Sequence, residues 1–273
     1  MEIMIKDISE YLYGQKLYGD DFSYKQIEKW YEDEKEAYAN LYSNEVKGNY
    51  PYHSINNYNA FRFLDKLKYE KVMSIGGAFG DELLPIIDKI ENITILEPSE
   101  QMKVEFIKNK PVKYVAPNIS GEIPFPDNFF DLITCSGVLH HIPNVSFVVS
   151  EIARVLKEGG VFILREPIVS MGDWRKPRQG LTTHERGIPL NILRNIIKNN
   201  KLEIVKETPC FSKPFDAIFS KLTGKDGYST SIYPPIDAFL GKLLLWNYRY
   251  HATSILHKFR PSAVFYVLEK TTL

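Results

Sequence analysis

The chain has 273 residues, 44% of them hydrophobic, and its 34 basic and 34 acidic side chains leave no net charge. That length allows one elaborated domain or a domain with a lid, and the charge balance offers no global field to draw in nucleic acid or an anionic membrane. Two cysteines, Cys135 and Cys210, argue against a disulfide framework, and no stretch reaches the length of a membrane span. Lys6, Asp7 and Glu10 interrupt any apolar run at the N-terminus, so there is no signal-peptide pattern and a cytosolic (cytoplasmic) enzyme is expected.

Residues 1–70 read as a mostly helical, unusually aromatic segment, a helical N-terminal lid. Ser23 can cap a helix running to Tyr42, with Ile27, Trp30, Tyr31, Tyr38, Leu41 and Tyr42 at helical spacing. Tyr11, Tyr13, Tyr18, Trp30, Tyr31 and His53 are the side chains that could cover a ligand. From 72 to 165, strands at 72–75, 93–96, 112–115, 130–135 and 161–165 alternate with helical patterns, which predicts an α/β, doubly wound parallel sheet. Pro85 falls in the first turn of the first crossover helix, where free N–H groups tolerate it. Gly159-Gly160 is expected to end the helix that begins near Val145. Leu190, Leu193, Ile196 and Ile197 predict a further helix, followed by strands at 202–207 and 263–269. The residues between those two strands exceed a hairpin loop and hold helical patterns near 214–223 and 235–257, an inserted C-terminal cap at about 209–261. The body of the molecule is then 71–273.

The stretch Val72-Met73-Ser74-Ile75-Gly76-Gly77-Ala78-Phe79-Gly80-Asp81 is the most informative. An apolar strand runs into a turn with almost no side chains, against which a ligand can lie. The next strand ends on Glu97, about 20 residues on, where a carboxylate can accept both hydroxyls of a ribose. A dinucleotide fingerprint needs its last glycine five positions after the first; here Gly80 falls at four from Gly76, and Asp81 would compete with a pyrophosphate for the helix dipole. S-adenosyl-L-methionine, with a ribose and no phosphate, fits better. The expected cofactor contacts are Gly76, Gly77, Ala78, Gly80, Glu97, Pro98, Met102, Asn118, Ile119, Ser136 and His141, with Asn118, and after it Ser120, as the polar partner of the adenine amine.

The segments Pro124-Phe125-Pro126-Asp127-Asn128-Phe129-Phe130-Asp131-Leu132 through Val138-Leu139-His140-His141, and Arg154-Val155-Leu156-Lys157-Glu158-Gly159-Gly160, follow the glycine turn in order. Together they resemble the class I S-adenosylmethionine-dependent methyltransferases, of methyltransferase type 11-like kind, over roughly residues 60–205. The resemblance implies a seven-stranded Rossmann-like sheet ending in an antiparallel hairpin. It also ranks His141 first as general base. Two positions depart from the pattern: Ser74 stands where the family usually has an acidic residue, and Ala78 where it usually has glycine.

Ligands of doubly wound sheets bind outside the carboxyl ends of the strands, so the loops after the fourth and fifth strands should face the acceptor. The first carries His140 and His141. The second carries Arg165 and Glu166, then Trp174, Arg175, Lys176, Arg178, His184 and Arg186. Arginine forks suit carboxylate or phosphate. The substrate-binding candidates are therefore Arg165, Trp174, Arg175, Arg178, Arg186 and Tyr31, and the catalytic candidates are His141, Glu166 and His184, with His140 beside them. No cluster has metal-ligand spacing. The expected partner is an anionic small-molecule acceptor rather than nucleic acid; the oligomeric state is not indicated. A sugar, sugar nucleotide or phosphorylated precursor of bacterial surface polysaccharide leads, from a loose likeness in Tyr18–Phe22 and Gly180–Pro189. The alternatives are an apolar acceptor such as a quinone, or a methyltransferase-like module without catalysis, for which Ser74 and Ala78 speak.

Overall fold

In the computed structural model, residues 8–35, 37 and 50–271 are described. The strands are β1 (Tyr69–Ile75), β2 (Ile90–Leu96), β3 (Phe106–Ile107), β4 (Lys110–Val115), β5 (Phe130–Ser136), β6 (Leu156–Pro167), β7 (Leu202–Cys210) and β8 (Ala263–Lys270). They form one sheet in the order β3-β4-β2-β1-β5-β6-β8-β7. β4, β2, β1, β5 and β6 are parallel, and β8 runs antiparallel between β6 and β7. The expected seven strands are all there; the eighth, β3, is a two-residue antiparallel addition at the edge of β4.

Side chains alternate across the sheet, as a two-residue period requires. Met73, Ile75, Ile133 and Cys135 enter one core with the helices Val145–Val155 and Leu190–Asn199. Val72, Leu132 and Ile163 enter the other, with Ile55, Leu83 and Ile87. Both cysteines are free and buried, and burial pushes their thiols up.

Several local expectations are corrected. The first crossover is a 3-10 helix, Asp81–Lys89, with Pro85 in its interior rather than its first turn. The helix beginning at Val145 ends at Val155 without glycine; Gly159, at φ 64°, lies in β6, where the register shifts opposite Phe130 and Leu132. Ser23 does start a helix, with a capping box to Gln26, and it is described as Tyr24–Glu34; Tyr38, Leu41 and Tyr42 lie outside the described residues. The inserted segment holds helices Lys213–Thr223 and Tyr233–Leu243, and beyond Leu243 only short 3-10 turns where one long helical pattern was expected.

Residues 8–35 pack over the carboxyl ends of the parallel strands. Asp20 accepts from the backbone and hydroxyl of Ser146, closing the first turn of helix Val145–Val155. Trp30, almost wholly buried, donates its indole N–H to the His141 carbonyl at 2.6 Å.

Candidate active site

The strand order reverses direction between β1 and β5, the place where doubly wound sheets bind ligands. A cavity of about 590 Å³ opens there. At one end lie Gly76, Gly77 and Ala78 after β1, Glu97 and Pro98 after β2, with Met102, Asn118 and Ile119. At the other lie Ser136 and Val138 after β5, His140 and His141, and Arg165 of β6. Trp30, Tyr31 and Glu34 of the N-terminal helix and Tyr50 and Tyr52 complete the wall.

The turn is built for close approach. A Cβ on Gly76 would stand 2.6 Å from Val138 Cγ2, so a larger residue collides with the protein itself before it reaches any ligand. Ala78 takes the left-handed conformation (φ 45°), which costs a non-glycine residue roughly 1–2 kcal/mol. Both its backbone groups are held: the N–H donates to Glu97 Oε2 at 3.2 Å, and the carbonyl accepts from Tyr114 Oη at 2.8 Å. Glu97 also accepts from the Ser99 N–H through Oε1 and is only 7% exposed. Its carboxylate is thus fixed at the cavity edge before any ligand arrives. Gly80 is not a cavity residue. At φ 75° it passes Ile107, whose Cδ1 would lie 2.1 Å from an added Cβ, so its task is strand packing.

The acidic residue missing at Ser74 is supplied from elsewhere. Glu82, 5% exposed and in the cavity wall, accepts from the hydroxyls of Ser74 and Thr134 through Oε1. Ser74 therefore positions a carboxylate instead of carrying one. Gly77 is required beside it, because its Cβ would fall 2.1 Å from Ser74 Oγ.

At the far end, His141 Nδ1 lies 3.1 Å from Glu34 Oε2 and 3.2 Å from Thr182 Oγ1. Burial and the neighbouring His140 charge lower its pKa, outweighing the Glu34 contact, so the ring is neutral near pH 7. With Nδ1–H given to Glu34, the lone pair of that neutral ring sits on Nε2. His140 behaves oppositely. Burial opposes its charge, but Glu166 at 2.8 Å and Glu185 at 3.6 Å outweigh that and raise it to about 9. His140, His141 and Glu185 hold ligand-type atoms within 4.8 Å of one another. His140 Nδ1 is engaged by Glu166 at 2.8 Å.

Arg165 is 8% exposed, with its guanidinium over the Tyr52 ring at 4.4 Å. Its Nη2 reaches only the Ser136 carbonyl, at 3.4 Å, and its Nη1 is buried with no hydrogen-bond partner among the described residues.

The other acceptor-side candidates are corrected. Glu166 is fully buried and accepts from the N–H groups of Val138, Leu139 and His140 as well as the His140 ring, so its carboxylate fixes the loop. Arg186 is fully buried and donates to the carbonyls of Tyr18, His140, Ile142 and Pro143. Burial lowers it to about 10; it clamps the histidine loop to the N-terminal segment. Arg178 donates to the carbonyls of Thr182, Thr183 and Glu185, and exposed Arg175 pairs with Asp173. Trp174 is buried and stacked on Tyr18 at 4.5 Å. His184 meets Asp33 at 2.9 Å and stacks on Trp30, away from the cavity lining. Of the proposed covering residues, Trp30 and Tyr31 line the cavity; Tyr11 and Tyr18 pack against Trp174, Tyr13 is exposed, and His53 starts the helix His53–Asn59.

Glu34, Glu82, Tyr50 and Tyr52 are the functional candidates that sequence reasoning missed. Glu34 sits in an acid/base-alternating helix that reads as a solvated face, and nothing local links it to a histidine 107 residues away.

Residues 73–164 match the family model described as a methyltransferase domain. Over 99 residues the chain is 32% identical to the methyltransferase YcgJ of Bacillus subtilis, 34% of this chain and 39% of that protein. It is 27% identical over 149 residues to the phosphatidylethanolamine N-methyltransferase of Cereibacter sphaeroides, covering 51% and 73%. The first of these matches thus spans about two fifths of the relative's length. The crystal structure of YcgJ superposes with a TM-score of 0.52 at 19% identity, over 81% of this chain and 99% of that one. An S-adenosylmethionine-dependent methyltransferase from Mesorhizobium loti superposes at 0.52 and 14%, over 79% and 97%. Strand order and these superpositions give the chain the fold of the class I S-adenosylmethionine-dependent methyltransferases, and its residues 73–164 match a methyltransferase domain.

Proposed function

We propose that the chain methylates an anionic small molecule. One observation carries this reading: the cavity that begins at Glu97 ends at a buried guanidinium whose Nη1 has no partner among the described residues. A buried guanidinium N–H left without an acceptor costs about 1–3 kcal/mol or more, and an acceptor carboxylate or phosphate would remove that cost. The wide cationic loop proposed from sequence is not needed, since Arg178 and Arg186 bond backbone carbonyls and Arg175 pairs with Asp173. A sugar phosphate or sugar nucleotide is one member of the class.

S-adenosylmethionine supplies, when bound, a methyl group activated by its sulfonium. Glu97 would hold the ribose hydroxyls, Gly76 to Ala78 would give it backbone to lie on, and Glu82 offers a carboxylate for an ammonium. On the acceptor side, Arg165 orients the substrate through its anion. His141, neutral and oriented by Glu34, takes the proton from an acceptor hydroxyl. The N-terminal helix excludes water from this end of the cavity.

An apolar planar acceptor is the second reading, favoured by the wall of Ile27, Tyr31, Tyr50 and Tyr52. Ubiquinone/menaquinone C-methyltransferases are among the relatives, one from Shewanella pealeana being 32% identical over 106 residues. The non-catalytic reading loses its support from Ser74, because Glu82 stands in the cavity wall. The test is label transfer from methyl-labelled cofactor to phosphorylated, carboxylated and neutral acceptors. Anionic acceptors should be preferred by the native chain, and Arg165→Met should erase the preference. A neutral quinone methylated equally well by both proteins would replace the first reading with the second.

A further inference from the structure

The zero net charge of the chain conceals a division. Residues 213–261 carry five Lys, two Arg and three Asp, a surplus of four positive charges, so the remainder carries four negative. Of the three aspartates, Asp237 is fully buried and accepts from the backbone of Phe211 and Ser212. This cationic segment also holds ten of the eighteen large hydrophobic side chains exposed among the described residues.

Those side chains are ordered. In helix Tyr233–Leu243, Tyr233, Pro234, Asp237, Ala238 and Gly241 turn inward, and Gly241 passes so close to β7 that a Cβ would lie 2.1 Å from the Pro209 carbonyl. The opposite face presents Ile236, Phe239 and Leu243, and exposed Trp246 follows in the 3-10 turn Leu245–Asn247. Phe239 is 66% exposed and Trp246 78%. Asn247 donates to the carbonyls of Leu256 and Phe259, and Phe259 contacts Phe215 of helix Lys213–Thr223, so the segment is one joined cap. Lys221, Lys225, Lys242, Arg249 and Lys258 are exposed in it.

An exposed apolar line ending in Trp, set among cations, is the composition of an interfacial membrane-binding surface. We propose that this cap docks the protein on an anionic lipid bilayer, with Phe239, Leu243 and Trp246 entering the headgroup region and Lys242 and Lys258 facing lipid phosphates. The charge selects this occupant over a second copy of the chain, because self-association through the cap would bring two like-charged surfaces together. No described helix is long and apolar enough to cross a membrane, so the association is peripheral. Docking is independent of which acceptor the cavity takes. The root of the cap nevertheless adjoins it: Phe211 lies 5.8 Å from the Tyr52 ring and 5.8 Å from the Arg165 guanidinium.

Trp246 is a built-in reporter, since the other two tryptophans, Trp30 and Trp174, are buried. The full chain is sedimented with vesicles of phosphatidylcholine alone and with about 30% phosphatidylglycerol. The expected result is partition onto the anionic vesicles only, weakened by salt, with a blue shift of tryptophan emission. Trp246→Phe should keep the partition and lose the shift. Lys242→Glu with Lys258→Glu should lower partition at least tenfold, as should Phe239→Ser with Leu243→Ser. Because the lysines are exposed, their variant should keep its circular dichroism and thermal midpoint. Equal partition onto both vesicle types, partition onto neither, or a lipid-free dimer whose Trp246 emission is already blue would each overturn the proposal.

Discussion

Glu34 Oε2 lies 3.1 Å from His141 Nδ1, joining the N-terminal helix to the loop after β5 across 107 residues of sequence. The contact makes the N-terminal segment part of the acceptor end of the cavity and not merely a cover. It sets the tautomer of His141, while burial and His140 keep that ring neutral. His141→Ala should lower kcat by about 10²–10⁴-fold with little change in cofactor affinity. Glu34→Gln should lower it by about 10–10³-fold, because the ring loses its orienting carboxylate. A base with a lowered pKa loses activity only as pH falls below the ordinary histidine range, so the acid limb of the kcat profile should lie below about 6.5. Near-normal kcat in both variants would mean an acceptor that is already ionised.

His140 gives the fold its own pH dependence. Its pKa is raised to about 9 by Glu166 and Glu185 against the opposing effect of burial. The stabilisation is complete below the unfolded value near 6.5 and is lost as pH rises through about 9. The thermal midpoint of the native chain should fall over that window, and His140→Asn should flatten the decline while lowering the plateau. An identical slope in the variant would place the titrating group elsewhere.

Three arginines that look alike in sequence should behave differently. Arg165→Met should raise the acceptor KM by about 10–100-fold, as expected for a lost charged contact in a closed site. Arg186→Ala should destabilise the protein by about 3 kcal/mol or more, since it strands several buried carbonyls. Arg175→Ala, an exposed partner of Asp173, should change neither. If Arg165→Met weakens cofactor binding and leaves KM intact, the anion that Arg165 meets is the cofactor's own carboxylate.

These contrasts mark what the sequence could carry. Strand positions were legible because each is a short apolar run bounded by turn residues, and Glu97 was legible because its spacing from the glycine turn is fixed by one β-α-β crossover. Arg186 and Arg178 were not, since a guanidinium bonded to backbone carbonyls and one awaiting an anion have the same letter and the same loop. Glu82 was hidden because its partners, Ser74 and Thr134, come from two different strands. The charge asymmetry of the cap was present in the composition and cancelled in the total.

The N-terminal segment should respond to ligand. Its ties to the body include Tyr18, Asp20, Trp30, Asp33 and Glu34, and two of these residues, Trp30 and Glu34, also line the cavity. Limited proteolysis within residues 8–35 should slow when S-adenosylhomocysteine is added. Glu34→Gln should speed it in the absence of ligand. Equal cleavage with and without ligand would leave a plain structural extension.

Calorimetric titration of the chain with S-adenosylmethionine addresses the central claim most directly. One site per chain of micromolar affinity is expected, weakened at least tenfold by Glu97→Ala, which removes charge-assisted hydrogen bonds of about 1.5–3 kcal/mol each. Glu82→Gln should weaken it as well, and Gly77→Ala should do so through the Ser74 hydroxyl that holds Glu82 in place. Binding unchanged in Glu97→Ala, or no binding to the native chain, would contradict the account.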